Sequence, residues 1–410
     1  MTTTSYDVLK SFDSIASQYL GNDLISEFSE KVHTGGNGHH ETVLKINLED
    51  DEFVLQRRDQ ILNLISQFES RLAEHEFLDL YLTLAKTALG VGQINLSRDL
   101  YAFVIKKAKQ QTKYCDYTSS AMLGLAEIYY REGNWDKCER QLQHAHREYD
   151  AVKNYEGLAR VENTFGAVYG DRGDLERAEE HFNRALDYLE NYENNYLTAM
   201  IEENIGIINL AKNKYAEAYS FLKRSLSRFE IINDKRRISE VHYNIGLMFT
   251  QQNEFAKALD ELDQSVAAAS EAEYMPALGF AYLNRSDIYS DMEDLVLASG
   301  FAERAMKISI KLNDRVTIAD IYRVKGILQR KLNNTLLAEN YLKTSLTLNK
   351  EIGNRYNIAE TSFELGLLYK QLNKLQESKK YFTDALKFKK KIGAVNDIKS
   401  IEKEIGSLVN

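Results

Sequence analysis

One spacing governs this chain. A small residue in an apolar setting returns every 40 positions, as Ala126, Gly166, Gly206, Gly246, Ser286, Gly326 and Gly366, with Ala85 one unit earlier at a step of 41. Other columns keep the same phase. Twelve residues on stands a second small residue (Ser97, Cys138, Ala178, Ala218, Ala258, Ala298, Ala338, Ser378), and seven further on a third column that is mostly small. Large residues interleave: Tyr101, Leu142, Phe182, Leu222, Leu262, Leu342 and Phe382 all lie sixteen after the anchor. Such spacing describes amphipathic helices in which the bulk of one helix sits over the small residues of the next. A repeat that cannot bury its own apolar face must stack on its neighbours.

The breaks recur as well. Seven after each anchor come Gly92, Gly133, Gly173, Asn213, Asn253, Glu293, Asn333 and Asn373, a column dominated by the two residue types that best tolerate a left-handed backbone and so end helices. A second break follows at Asn233-Asp234, Asn313-Asp314, Gly353-Asn354 and Gly393-Ala394. Each unit is therefore helix A, a turn, helix B and a second turn. The lone proline of the 410 residues, Pro276, falls at the break after the fifth unit.

These columns resemble the tetratricopeptide repeat, and Gly166, Tyr169, Gly173, Leu175, Ala178, Phe182 and Ala185 follow its pattern closely. The position at which that family usually carries proline is vacant in all eight units (Lys109, Asp150, Glu190, Glu230, Ser270, Ile310, Lys350, Lys390), so helix B is free to run longer. The 40-residue form is similar to that of kinesin light chain, the Leu-Gly-Asn-type adaptors and the bacterial Rap and pheromone-receptor regulators. The resemblance implies an all-α, right-handed superhelical α-solenoid of about eight helix hairpins with terminal capping helices. Residues 1–51 are expected to form an N-terminal helical and loop segment, 52–77 a capping helix, 78–396 the eight repeats and 397–410 a final cap.

The resemblance also implies a mode of action: A helices line a concave groove in which a protein or peptide partner lies. The groove positions that carry polar or charged groups are Arg160, Asn163, Glu203, Asn204, Glu240, Tyr243, Asn244, Asn284, Asp287, Asp320, Arg323 and Arg330. Asn204, Asn244 and Asn284 occupy one position in three successive units. An amide can pair with a peptide N–H and C=O at once, so such a ladder suits an extended segment; it equally suits bonding one A helix to the next. The carboxylate clamp of chaperone-binding repeats is not met, since the positions around Asn204 hold Asn163, Ala167, Glu240 and Asn244.

No catalytic constellation emerges. The glycines at 35–38 are followed by His39-His40-Glu41 rather than by the Gly-Lys-Ser/Thr of a phosphate loop. His33, His39 and His40 lack ligands at fixed spacing, and His144 and His146 point in different directions on one helix. No metal and no cofactor is expected, and an enzyme is the weakest reading. Net charge −9 disfavours nucleic acid, while Lys387, Lys389, Lys390 and Lys391 form a candidate patch for an acidic partner. Two cysteines, no apolar run of membrane-spanning length and no secretory leader point to the cytoplasm. Homo-oligomerisation is not indicated. The leading function is a scaffold or adaptor; the alternative is a peptide-gated regulator with its N-terminal region as output.

Overall fold

The computed structural model describes residues 62, 69 and 72–408, apart from 91–92, 109–111 and 313. The N-terminal segment 1–51, most of the expected cap at 52–77 and the histidines at 33, 39 and 40 lie outside the described residues. Within them the chain is helical throughout. Eight hairpins follow in order: α1 (Glu74–Gly90) with α2 (Ile94–Ala108), α3 (Cys115–Arg131) with α4 (Trp135–Ala151), α5 (Tyr155–Asp171) with α6 (Leu175–Leu189), α7 (Asn195–Ala211) with α8 (Tyr215–Ile231), α9 (Lys235–Gln251) with α10 (Phe255–Glu271), α11 (Met275–Asp291) with α12 (Leu295–Leu312), α13 (Arg315–Lys331) with α14 (Thr335–Ile352), and α15 (Arg355–Gln371) with α16 (Leu375–Ile392). A last helix, α17 (Val395–Gly406), packs on α16 with Ile401 buried. This is an all-α solenoid of consecutively packed hairpins.

The turns form where the break columns place them. All seven described residues of the first column, from Gly133 to Asn373, have φ between 57° and 72°. Glu293 adopts this backbone although it is neither Gly nor Asn, and so do Lys153 and Glu273 at second breaks. Helix starts are closed by side chains: Asn134, Asp174, Asn194, Asp234, Asp314 and Asn354 each accept from the backbone N–H three residues on. Pro276 lies inside the first turn of α11 rather than in the preceding break, where its missing N–H leaves no helical bond unmade. The vacant proline position lies inside helix B in six units, at Asp150, Glu230, Ser270, Ile310, Lys350 and Lys390; in the third, α6 ends one residue before Glu190.

The chain divides into two compact units, residues 1–161 and 162–410. In the first, Phe77, Leu78, Tyr81, Leu100, Tyr101 and Ile128 form the core. In the second, each hairpin closes on the small anchor column. A methyl group built on Gly366 would stand 2.5 Å from the Phe382 ring, and one on Gly326 2.6 Å from Leu342. Serines of the small columns serve twice, since Ser378 Oγ donates to the Gly366 carbonyl at 2.8 Å and Ser286 Oγ to that of Ala298 at 2.7 Å. Cys138 is fully buried in its small column, and burial pushes its thiol up to about 12. Cys115 is pushed up to about 11 by burial and by the neighbouring Glu148 carboxylate.

Candidate functional site

In the second unit the A helices α7, α9, α11, α13 and α15 present one polar face, and hydrogen bonds run along it from repeat to repeat. Asn204 Nδ2 donates to Asn163 Oδ1 at 2.9 Å, and Asn244 Nδ2 to Glu203 Oε1 at 3.0 Å. Asn284 Oδ1 accepts from Thr250 Oγ1 at 3.0 Å. Arg323 reaches Asp320 on its own helix at 2.9 Å and Asp287 on α11 at 3.7 Å, and Arg330 bonds Glu364 on α15 at 2.9 Å. The ladder therefore joins neighbouring helices. One ladder group is unpaired: Asn284 Nδ2 is buried and has no partner among the described residues. A buried donor without an acceptor costs about 1–3 kcal/mol.

Two carboxyls on this face, Glu203 and Asp287, are held above their ordinary range. Burial, with repulsion from Glu240, pushes Glu203 up to about 8, against the pull of Arg237 and the Asn244 amide. Burial pushes Asp287 up to about 7 despite Arg323, with Asp320 adding repulsion. Burial, then Asp320 and Asp287, also raise the Tyr243 hydroxyl, whose ring centroid lies 5.7 Å from that of Phe280 on α11. Arg323 on α13 pulls the other way, and Tyr356 on α15 adds to the rise. Glu240 accepts from Arg237 at 2.7 Å.

The face extends beyond the residues expected to form it. Lys389, on α16, is almost fully buried and pairs with Glu360 on α15 and, at 2.7 Å, with Asp397 on α17; its ammonium lies 4.2 Å from the Tyr356 ring centroid. Burial resists ionisation of Glu360, yet Lys389 and Arg323 outweigh it and hold the carboxyl below the usual range. The repeat register carried one signal for Glu360: it shares its position with Glu240 and Asp320. Nothing in the register marked Lys389 or Asp397. One member of the expected lysine patch, Lys389, is corrected accordingly. Lys389 is internal, Lys390 pairs with Glu402 at 2.8 Å, and Lys391 donates to the Arg172 carbonyl at 3.1 Å; Lys387 is exposed. The burial of Lys389 follows from its place in the last turn of α16, where α17 folds back over it. Arg160 lies on α5, in the first unit, and bonds Glu156 at 2.8 Å.

The same Lys391 bond spans 219 residues and brings the eighth hairpin back to the third. Phe388 and Ile392 pack against Gly173 there. A cavity of about 560 Å³ lies at this closure, bounded by Asp174, Lys212, Lys214, Lys391 and Asn396.

Family models described as tetratricopeptide repeat match residues 117–191, 197–271 and 359–392. No curated protein matches the chain. Among solved structures, the chain is similar to a Rap protein complexed with Competence and Sporulation Factor, at 13% identity over 86% of this chain and 94% of that one, with a TM-score of 0.61. It is similar to the Rap conjugation gene regulator of the plasmid pLS20 in complex with the Phr* peptide, at 14% identity over 96% and 98%, with a TM-score of 0.60. It is similar also to aspartyl phosphate phosphatase F from Bacillus subtilis, at 13% identity over 96% and 94%, with a TM-score of 0.56. At these identities the likeness is one of fold. The chain carries tetratricopeptide repeats over the matched residues, which lie within the run of helix hairpins described above.

Proposed function

We propose that the inward A-helix face of the second unit holds an extended segment of a partner protein or peptide, and that the chain is a scaffold or adaptor rather than an enzyme. The observation that carries this reading is the unpaired Asn284 amide, on the same helix as Asp287, on a face where the Glu203 and Asp287 carboxyls are raised to about 8 and about 7. A bound peptide carbonyl would satisfy that amide, and a cation or N–H would stabilise the ionised Asp287. No group of His, Cys, Asp and Glu able to hold a metal occurs among the described residues, and no helix there is long and apolar enough to cross a membrane. The proposal assigns no nucleic acid, membrane or cofactor, and places the protein in the cytoplasm, with α17 and residues 52–77 as caps of the array.

The test is a pull-down from extract with the intact chain and with Asn204→Ala/Asn244→Ala/Asn284→Ala. The reading expects partner recovery to fall about tenfold or more while helix content is kept. Equal recovery by the folded variant overturns it.

A second reading is a peptide-gated regulator with residues 1–51 as output. Two solved neighbours contain a named peptide or factor, and their similarity covers most of both chains. It predicts a change in small-angle scattering when a cognate peptide binds; a shape indifferent to a peptide that demonstrably binds counts against it.

A further inference from the structure

We propose that the cavity at the closure of the second unit is a binding site for a small hydroxylated phosphate ester, a sugar phosphate, held between the first turns of α8 and α17. The cavity, about 560 Å³, is bounded by the turns before α6, α8 and α17, so three helix starts border one space. Asp174 closes the start of α6 with its own side chain, whereas α8 begins after Lys214 and α17 after Ala394 with no side-chain cap. The Tyr215 hydroxyl hydrogen-bonds the Asn396 side chain, which sets the two uncapped starts beside each other. Uncapped first turns offer free N–H groups and the positive end of the helix dipole, and both favour an anion.

The lysines make the same demand independently. Four of them line the cavity. Lys212 pairs with Glu179 at 2.5 Å and Lys390 with Glu402 at 2.8 Å. Lys214 and Lys391 have no carboxylate within ion-pair distance among the described residues. Lys391 uses one donor on the Arg172 carbonyl, keeps two, and stands near enough to Asp174 to help Arg177 hold that carboxyl below its usual range. Asp174 is itself taken up by Arg177 at 2.5 Å, which leaves Glu176 as the unpaired carboxylate of the lining. Two unmatched ammoniums and two uncapped helix starts, against one carboxylate, leave more positive character than a single carboxylate ligand uses. A phosphate dianion, with three acceptor oxygens, meets it.

The rest of the lining selects what the phosphate is attached to. Asn213 Oδ1 is buried and has no donor, while Asn213 Nδ2 donates to the Tyr215 hydroxyl at 3.4 Å. An acceptor without a donor, together with Glu176, calls for hydroxyl groups. No aromatic ring is among the lining residues, so a nucleobase finds no stacking surface. A bare phosphate leaves most of the cavity empty and Asn213 unmet. A sugar phosphate supplies dianion and hydroxyls at once, and by touching the third, fourth and eighth hairpins it ties the closure together.

Isothermal titration calorimetry of the full chain tests this with three probes: glucose phosphorylated on its primary hydroxyl, inorganic phosphate, and glucose. The proposal expects the sugar phosphate to bind about tenfold tighter than inorganic phosphate or better, and glucose not to bind. Lys214→Met, at an exposed side chain, should weaken both phosphate probes about tenfold with far-UV circular dichroism unchanged. Lys223→Met, exposed on α8 outside the cavity, should weaken neither. Asn213→Gly keeps the left-handed turn and removes the acceptor, so it should lower affinity for the sugar phosphate and leave that for inorganic phosphate unchanged. A sugar phosphate that does not bind, equal affinity for it and inorganic phosphate, or a Lys214→Met chain that binds like the native one overturns the proposal.

Discussion

At the residue scale the account turns on carboxyls that burial keeps protonated. Glu203 moves up to about 8 and Asp287 to about 7 because their charged forms lose water faster than the nearby arginines replace it. Their folded values lie above their unfolded ones, so the folded state holds the protons more tightly. Stability from these groups is fully present near pH 4 and is lost as pH rises, up to about 7 for Asp287 and about 8 for Glu203. Glu203→Gln keeps the acceptor for Asn244 and cannot ionise. It should raise stability at pH 8 by on the order of 2 kcal/mol and leave it nearly unchanged at pH 4.5; urea melts at the two pH values check this, and an equal effect at both would contradict it. The asparagines were legible from the 40-residue register, because three successive repeats carry them. Which of their two uses applies was not, since one amide chemistry serves both a helix neighbour and a ligand. Geometry separates Asn204 and Asn244, which donate to neighbouring helices, from Asn284, whose amide nitrogen is unpaired.

At the element scale the helices follow the sequence closely. The break column works because Gly and Asn enter the left-handed region at low cost, and its seven described residues are all found there. Glu293 is the strained member: a residue with a Cβ in this region costs roughly 1–2 kcal/mol. Glu293→Gly should therefore stabilise the chain by about 1 kcal/mol, read as a shift of the denaturation midpoint without a change of slope; a lower midpoint would mean that the Glu293 side chain holds the turn. The anchor column gives the opposite case. Gly366→Ala drives a methyl group into the fully buried ring of Phe382. The expected loss is about 1–3 kcal/mol, whereas Gly300→Ala, with open space around it, should cost nothing or stabilise. The early end of α6 was not visible in the spacing. The turn after it, from Glu190 to Asn194, is closed by the Asn194 cap, and a capping side chain leaves no mark on an apolar period.

At the scale of the whole molecule, repeat sequences specify contacts between neighbours and little else. The eight hairpins were readable for that reason. The return of α16 to the α5–α6 turn was not, because it joins Lys391 to a backbone carbonyl, and any residue at position 172 offers one. The burial of Lys389 has the same origin: a lysine in a basic run reads as exposed until α17 brings Asp397 across it. Phe388→Ala should loosen this closure and speed amide exchange at Gly173 and Asp174 roughly tenfold, with the cores of the other hairpins unaffected. Exchange that stays at the native rate would mean that the closure contributes no stability to the turn.

The central claim is that the inward A-helix face receives the partner. A photo-crosslinking amino acid placed at Tyr243, on that face, and separately at Asp260, on the exposed side of α10, tests it most directly. The account predicts that the partner recovered from native extract is captured from position 243 and not from 260. Capture from 260 with none from 243 would contradict it.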